Sequence, residues 1–172
     1  GITICGRNEK KGFQVKSEIE SIGCKCIYVK ADLNEVEECR SIIKKTDDAF
    51  GKINSLINVA GFTERGTILS TTIDNYNNNF NINTRAPFLL MQDSIKIMIR
   101  EKIHGTILNV LSMAMYSGMP FLTAYSGSKA ALAIITKNVA NGVSGHKIRV
   151  NALNIGWTDT PGEDTIQKKF HD

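Results

Sequence analysis

TILNVL (106–111), YSGSKAALAIITKNVANGV (125–143) and IRVNAL (148–153) decide the fold class. The first and third runs are short, apolar and rich in β-branched residues, whereas the middle run is long and repeats its apolar residues at helical spacing. A strand, a helix and a second strand in that order form a βαβ unit, whose strands run parallel and are normally buried on both faces. The same alternation continues towards the N-terminus. Strands are predicted at 2–5, 24–29 and 53–59, with helices at 9–22, 36–50 and, before the run at 106, about 73–102. This order predicts an α/β fold with a doubly wound, Rossmann-like parallel sheet.

Composition fits that reading. The chain has 172 residues, 42% hydrophobic and 22% charged, which suits one globular domain spanning 1–172 with a real core. The net charge of +4 comes from scattered Lys and Arg, with doublets only at 10–11, 44–45 and 168–169. These read as solvated helix faces, so no nucleic-acid partner is expected. Cys5, Cys24, Cys26 and Cys39 make no C-x-x-C pair and the three histidines lie far from them, so no metal site is expected. Reduced thiols in a cytoplasmic protein are expected instead, with Cys24 and Cys26 alternating along a strand as small hydrophobes. No apolar run approaches the roughly 18 residues of a membrane span.

The chemistry concentrates around Ser112, Tyr125 and Lys129, within NVLSMAMYSGMPFLTAYSGSKAAL (109–132). Tyr and Lys four residues apart on a helix share a face. A phenol, with its ordinary pKa near 10, is a poor acid or base at neutral pH, and a neighbouring ammonium favours its ionised form. Lys129 thus tunes Tyr125 for proton transfer. Ser112 follows a strand at its C-terminal end, the edge of an open α/β sheet where ligands bind, and offers a hydroxyl to a substrate oxygen.

With Asn109, Ser112, Tyr125 and Lys129 in this spacing, the chain resembles the short-chain dehydrogenase/reductase family from residue 2 to about 165. The resemblance implies hydride transfer between a nicotinamide cofactor and a small carbonyl or alcohol substrate, in a homodimer or homotetramer. It implies further site residues. INVAG (57–61) resembles the family's N-N-A-G turn, with Val59 replacing the second Asn; Asn58, Ala60 and Gly61 border the adenine ribose there. FNINTRAPF (80–88) sets Asn83 at the family's catalytic Asn, which holds a water linking the Lys to solvent. IRVNALNIGWTDTPGE (148–163) resembles the segment at the nicotinamide end, with Ile155 in place of Pro. Gly156 and Thr160 match, Thr160 as a carboxamide ligand, with Thr158 a nearby candidate. Met113, Met115, Met119, Phe121 and Trp157 are expected along a partly apolar substrate pocket.

Arg7 follows the first run, where a carboxylate would bind the ribose hydroxyls of NAD and a guanidinium suits a 2′-phosphate, so NADP is expected over NAD. Asp32 matches the family's Asp beside the adenine, with Leu33 at its shoulder; an Asp there is also a helix N-cap type. The family's opening T-G-x-x-x-G-I-G element is not found in the sequence, which begins GITICGRN. The chain is therefore expected to lack the first βα unit, leaving a gap on the order of 10 Å in the sheet. It is also expected to lack the C-terminal end, a further helix and strand. Two functions follow: an incomplete copy of an active NADP-dependent oxidoreductase, or a catalytically silent chain that acts through dimerisation by the helices at 73–102 and 125–143.

Overall fold

In the computed structural model, residues 1–158 are described. Five parallel strands alternate with helices: β1 (Ile2–Gly6), α1 (Glu9–Ser21), β2 (Cys26–Lys30), α2 (Val36–Phe50), β3 (Ser55–Asn58), α3 (Ile73–Phe80), α4 (Ala86–Arg100), β4 (Thr106–Ser112), α5 (Thr123–Val143) and β5 (Arg149–Ile155). The predicted α/β class and strand order hold. Cys24 falls before β2 and is only partly buried, while Cys26 begins the strand and is buried.

The strands form two sheets, β1–β2 and β3–β4–β5. Ile2 pairs with Cys26 at the start of the first, and Ser55 with Thr106 and Thr106 with Arg149 in the second. Side chains on a strand alternate faces, so neighbouring residues of β2 identify two helical layers. Val29 joins Ile42 and Ile43 of α2 in the core. The adjacent Tyr28 meets Phe13 of α1 edge-on, ring centres 5.2 Å apart. Helices therefore cover both faces of β1–β2.

The expectation of two covered faces fails for β3–β5. Ile107 and Leu111 face α4 and α5 and are buried, yet Ile57 and Leu153 are mostly exposed. Among the described residues no helix packs on that second face.

The helix layer holds the two sheets together. Arg100 forms a two-pronged ion pair with Asp47 of α2, at 2.6 and 2.8 Å. Arg40 of α2 pairs with Asp93 of α4 at 2.7 Å, and the Thr46 and Thr3 hydroxyls meet at 2.9 Å. The hydrogen bond from Arg100 holds the Asp47 carboxyl below its ordinary pKa despite some burial. These bridges are partly exposed, so each adds little to stability. The apolar cluster shared by α2, α4 and the strands is the larger contribution.

The single long helix predicted at 73–102 is interrupted. A π-helical segment, Asn81–Arg85, separates α3 from α4, inserting one wide turn without breaking the helical path. Such turns are rare and frequent at functional sites. Asn83 lies within it.

Candidate active site

Parallel strands bring their C-terminal ends to one edge, and the predicted site residues collect there. Arg7 follows β1, Asp32 and Leu33 follow β2, Asn58 ends β3, Ser112 ends β4, and Gly156 and Thr158 follow β5. Thr160 lies outside the described residues.

Lys129 is the most constrained of them. It sits one turn after Tyr125 on α5, is only 4% exposed, and donates to the Val110 carbonyl at 2.9 Å. Its ammonium lies 6.0 Å from the centre of the Tyr125 ring. Burial pushes its pKa down to about 8, because removing a cation from water disfavours the charged form. Ser112 is also buried, its Oγ accepting from the Ala114 N–H at 3.2 Å and thereby fixing the turn after β4.

Asn83 is 1% exposed and grips a peptide group. Its Oδ1 accepts from the Phe62 N–H, and its Nδ2 donates to the Phe62 carbonyl, both at 2.8 Å. The same Nδ2 reaches the Ser128 Oγ at 2.9 Å, and the Ser128 hydroxyl donates to the Tyr125 carbonyl at 2.7 Å. Ser128, fully buried, thus links Asn83 to the turn of α5 that carries Tyr125. A Cβ on Gly61 would lie 3.6 Å from Lys129 Nζ and 3.7 Å from Asn83 Oδ1. The backbone after β3 therefore passes beside both groups.

Asn58 takes part in a polar network beneath the site. It is buried and donates to Asn109 Oδ1 at 2.8 Å, while Asn109 donates to Thr136 Oγ1 at 2.9 Å. This network ties β3, β4 and α5 together beneath the site. Ala60 and Gly61 are exposed.

Asp32 is not the N-cap of α2; Glu35 holds that position and makes no side-chain cap. Asp32 instead accepts from the Asn34 N–H at 2.9 Å, an Asx turn that folds the loop back on itself. The Asn34 carbonyl accepts from Arg85, joining this loop to the π-helical segment. Leu33 packs against the core. Arg7 is exposed, and the α1 cap beside it is Asn8, which accepts from the Lys11 N–H at 3.0 Å. Sequence reasoning missed Ser128 as a link to Asn83, and also two further asparagines, Asn75 and Asn79; Asn79 is completely buried. Asparagines at four-residue spacing were the available signal.

The donor set fits a nicotinamide dinucleotide at both ends: a guanidinium and a carboxylate at the ends of β1 and β2, and hydroxyls and a buried ammonium at the ends of β4 and β5. No described residue is assigned to the pyrophosphate.

The family model for short chain dehydrogenase matches residues 1–170. An oxidoreductase of Thermotoga maritima, itself uncharacterised, is 33% identical over 161 residues, covering 94% of this chain and 63% of the relative. A gluconate 5-dehydrogenase from Burkholderia cenocepacia, solved with NADP and tartrate, is 25% identical with a TM-score of 0.85, covering 92% of this chain and 62% of that one. An NAD+-bound xylitol dehydrogenase, 24% identical, aligns with a TM-score of 0.89 over 96% of this chain and 64% of its own. The chain thus spans less than two thirds of the length of these proteins. With the family model matched along nearly all of its residues, the chain belongs to the short-chain dehydrogenase family.

Proposed function

We propose that the protein carrying this chain is an NADP-dependent oxidoreductase acting on a small carbonyl or alcohol substrate, with Tyr125 as its acid and base. One observation carries the reading: a nearly dehydrated ammonium, Lys129, held one helical turn from Tyr125 beside the strand end that bears Ser112. A bound nicotinamide supplies or accepts the hydride. The chain's own residues manage the proton and the position of the substrate oxygen. Tyr125 gives its phenolic proton to that oxygen in reduction and takes it back in oxidation, while the Ser112 hydroxyl donates a second hydrogen bond to it. Lys129 lowers the energy of the phenolate through space and offers its remaining N–H groups to ribose hydroxyls. Asn83 uses one lone pair of Oδ1 on Phe62 and keeps a second for the relay water. Asp32, Leu33, Asn58, Ala60 and Gly61 are assigned to the adenosine end, and Gly156, Thr158 and Thr160 to the nicotinamide end.

The two structural neighbours differ in nicotinamide cofactor. The choice of NADP here rests on Arg7, an exposed guanidinium at the end of β1. Tyr125→Phe tests the catalytic reading: cofactor binding survives and turnover falls by about 100-fold or more, the usual contribution of a positioned acid or base. Turnover within about tenfold of the parent removes Tyr125 from the mechanism.

A second observation supports a homodimer or homotetramer, whether or not the chain is active. A groove of about 470 Å³ between α3 and α5 is lined by Ile68, Ile73, Tyr76, Phe80, Ala124 and Gly127. Ile68 and Ile73 are 81% and 70% exposed. Ile73→Glu should yield monomers in light scattering; an unchanged mass moves the interface elsewhere. Four free thiols fit a reducing cytoplasm.

A further inference from the structure

The inner face of α3 and the π-helical segment carries amides where an apolar stripe would be usual. Asn75, Asn79 and Asn83, four residues apart, are 5%, 0% and 1% exposed. Burying an amide costs about 1–3 kcal/mol unless its hydrogen bonds are replaced. Here they are replaced, and the partners lead out of the helix. Asn79 Nδ2 donates to the Asn75 carbonyl at 3.0 Å and to Asn75 Oδ1 at 2.7 Å, which aims the Asn75 NH2 group at the Glu64 carbonyl, 3.5 Å away. Asn79 Oδ1 faces Asn83 Nδ2 at 3.4 Å, and Asn83 holds both backbone groups of Phe62.

With Asn79 bracing Asn75 between them, Asn83 and Asn75 therefore grip the segment 62–66 at Phe62 and Glu64. Its far end is pinned separately: the Gly66 N–H donates to the Phe121 carbonyl at 2.9 Å, and Gly66 forms a parallel bridge with Leu122. A Cβ on Gly66 would sit 2.6 Å from Thr71 Oγ1 and 3.2 Å from Thr71 Cα, so only glycine fits without displacing its neighbours. The segment is thus a strap. It starts at Gly61, against Lys129, and ends beside the residues that lead into the first turn of α5, where Tyr125 stands.

We propose that Asn75 and Asn79 are positioning residues for the reaction, holding the strap 62–66 as a fixed wall of the substrate site. They touch neither substrate nor cofactor and act through Asn83 and the peptide groups of Phe62 and Glu64. The inference rests on Tyr125 and Lys129 being the reactive centre, and it predicts a specific division of effects. A looser strap weakens substrate binding, because the wall must be ordered anew in each complex, while the binding of NADP, assigned to the strand ends, is spared.

Asn79→Leu keeps roughly the same volume and removes the amide. It is made, with the core variant Ile107→Val as a control of general destabilisation, in a protein of the relatives' length that carries this chain. Amide hydrogen exchange and steady-state kinetics are then measured. The expected result for Asn79→Leu is exchange at least about tenfold faster at residues 62–66 than at β4, with substrate KM raised about tenfold, NADP KM unchanged and kcat within about threefold. Ile107→Val should leave that contrast unchanged. If Asn79→Leu does not fold, Asn75→Ala releases the Glu64 grip and takes the Oδ1 acceptor from Asn79, which keeps its bond to the Asn75 carbonyl, and should give the same pattern more weakly. Exchange that rises evenly over β4, α5 and the strap, or a substrate KM that does not move, overturns the proposal and leaves the ladder a packing device. A Tyr125→Phe protein that still turns over refutes the catalytic assignment instead, and does so without altering the exchange result.

Discussion

Burial of Lys129 makes folding stability depend on pH in a direction opposite to that of an ion-paired lysine. The side chain is 4% exposed, its one acceptor among the described residues is the Val110 carbonyl, and burial takes its pKa from 10.5 to about 8. In the unfolded chain it keeps the ordinary value. Since the folded state binds the proton less tightly, a protonated Lys129 opposes folding at every pH below about 8, and this penalty is relieved as pH rises from about 8 to 10.5. At about 1.4 kcal/mol per pH unit the penalty near neutrality is about 3 kcal/mol. Lys129→Met removes the titration and fills similar space, but leaves the Val110 carbonyl without its donor, a pH-independent loss of about 1–2 kcal/mol. The informative quantity is the slope. Urea unfolding of parent and variant, between pH 7 and pH 10.5 in a protein of the relatives' length, should show the parent gaining about 3 kcal/mol on the variant across the alkaline range. Parallel curves would mean that water reaches the ammonium in solution, and the argument from burial would fail.

Arg7→Asp should shift the ratio of kcat/KM from NADP towards NAD, because it replaces a phosphate-pairing cation with an acceptor for ribose hydroxyls; a ratio changed less than about threefold makes Arg7 a surface residue only. Asn109→Leu should lower the unfolding free energy by about 1–3 kcal/mol, since it leaves the Asn58 NH2 group without its acceptor in the core, while the Thr136 hydroxyl keeps its bond to the Leu132 carbonyl; a loss below about 0.5 kcal/mol would mean that water replaces it. The isolated 172-residue chain should melt with little cooperativity and bind NADPH poorly in calorimetric titration, because among the described residues β1 and β3 each keep an unpaired edge. A sharp melt with micromolar binding would show that the α2–α4 contacts suffice.

Periodicity made the order of elements legible, because apolar spacing of two or 3.6 residues is imposed by backbone geometry within each element. Ser112, Tyr125 and Lys129 were singled out through the resemblance to the short-chain dehydrogenase family, because a Tyr and a Lys sharing a helix face are common by themselves; the fold sets Ser112 at the end of β4 and the other two one turn apart on α5. What escaped depends on partners far along the chain. The π-helical turn at Asn81–Arg85 adds one residue to a helix whose pattern otherwise continues, and the partner of its Asn83, Phe62, is 21 residues away. The alternative reading of Asp32 as an N-cap fails because Glu35 occupies that position, without a side-chain cap; an Asx turn and an N-cap draw on the same residue types. Exposure of Ile57 and Leu153 was invisible too, since a strand's sequence records what it can bury, and coverage is decided by other segments.

The residues assigned to the proton and those assigned to cofactor choice lie on different sheets. Asn83, Ser112, Tyr125 and Lys129 belong to β4, α5 and the π-helical segment beside β3–β5, and they are fixed by bonds within that half: Lys129 to Val110, Asn83 to Phe62 and Ser128. Arg7, Asp32 and Leu33 follow β1 and β2, which share no backbone pairing with β3–β5. The halves meet through α2 and α4, and through the contact from Arg85 to Asn34, which reaches from the end of the π-helical segment to the loop that holds Asp32. On the proposed assignment, substitutions at Arg7 should change cofactor preference and leave the proton residues undisturbed. Loosening Arg85 would instead disturb both, because the same guanidinium borders the segment that carries Asn83 and steadies the loop assigned to the adenine.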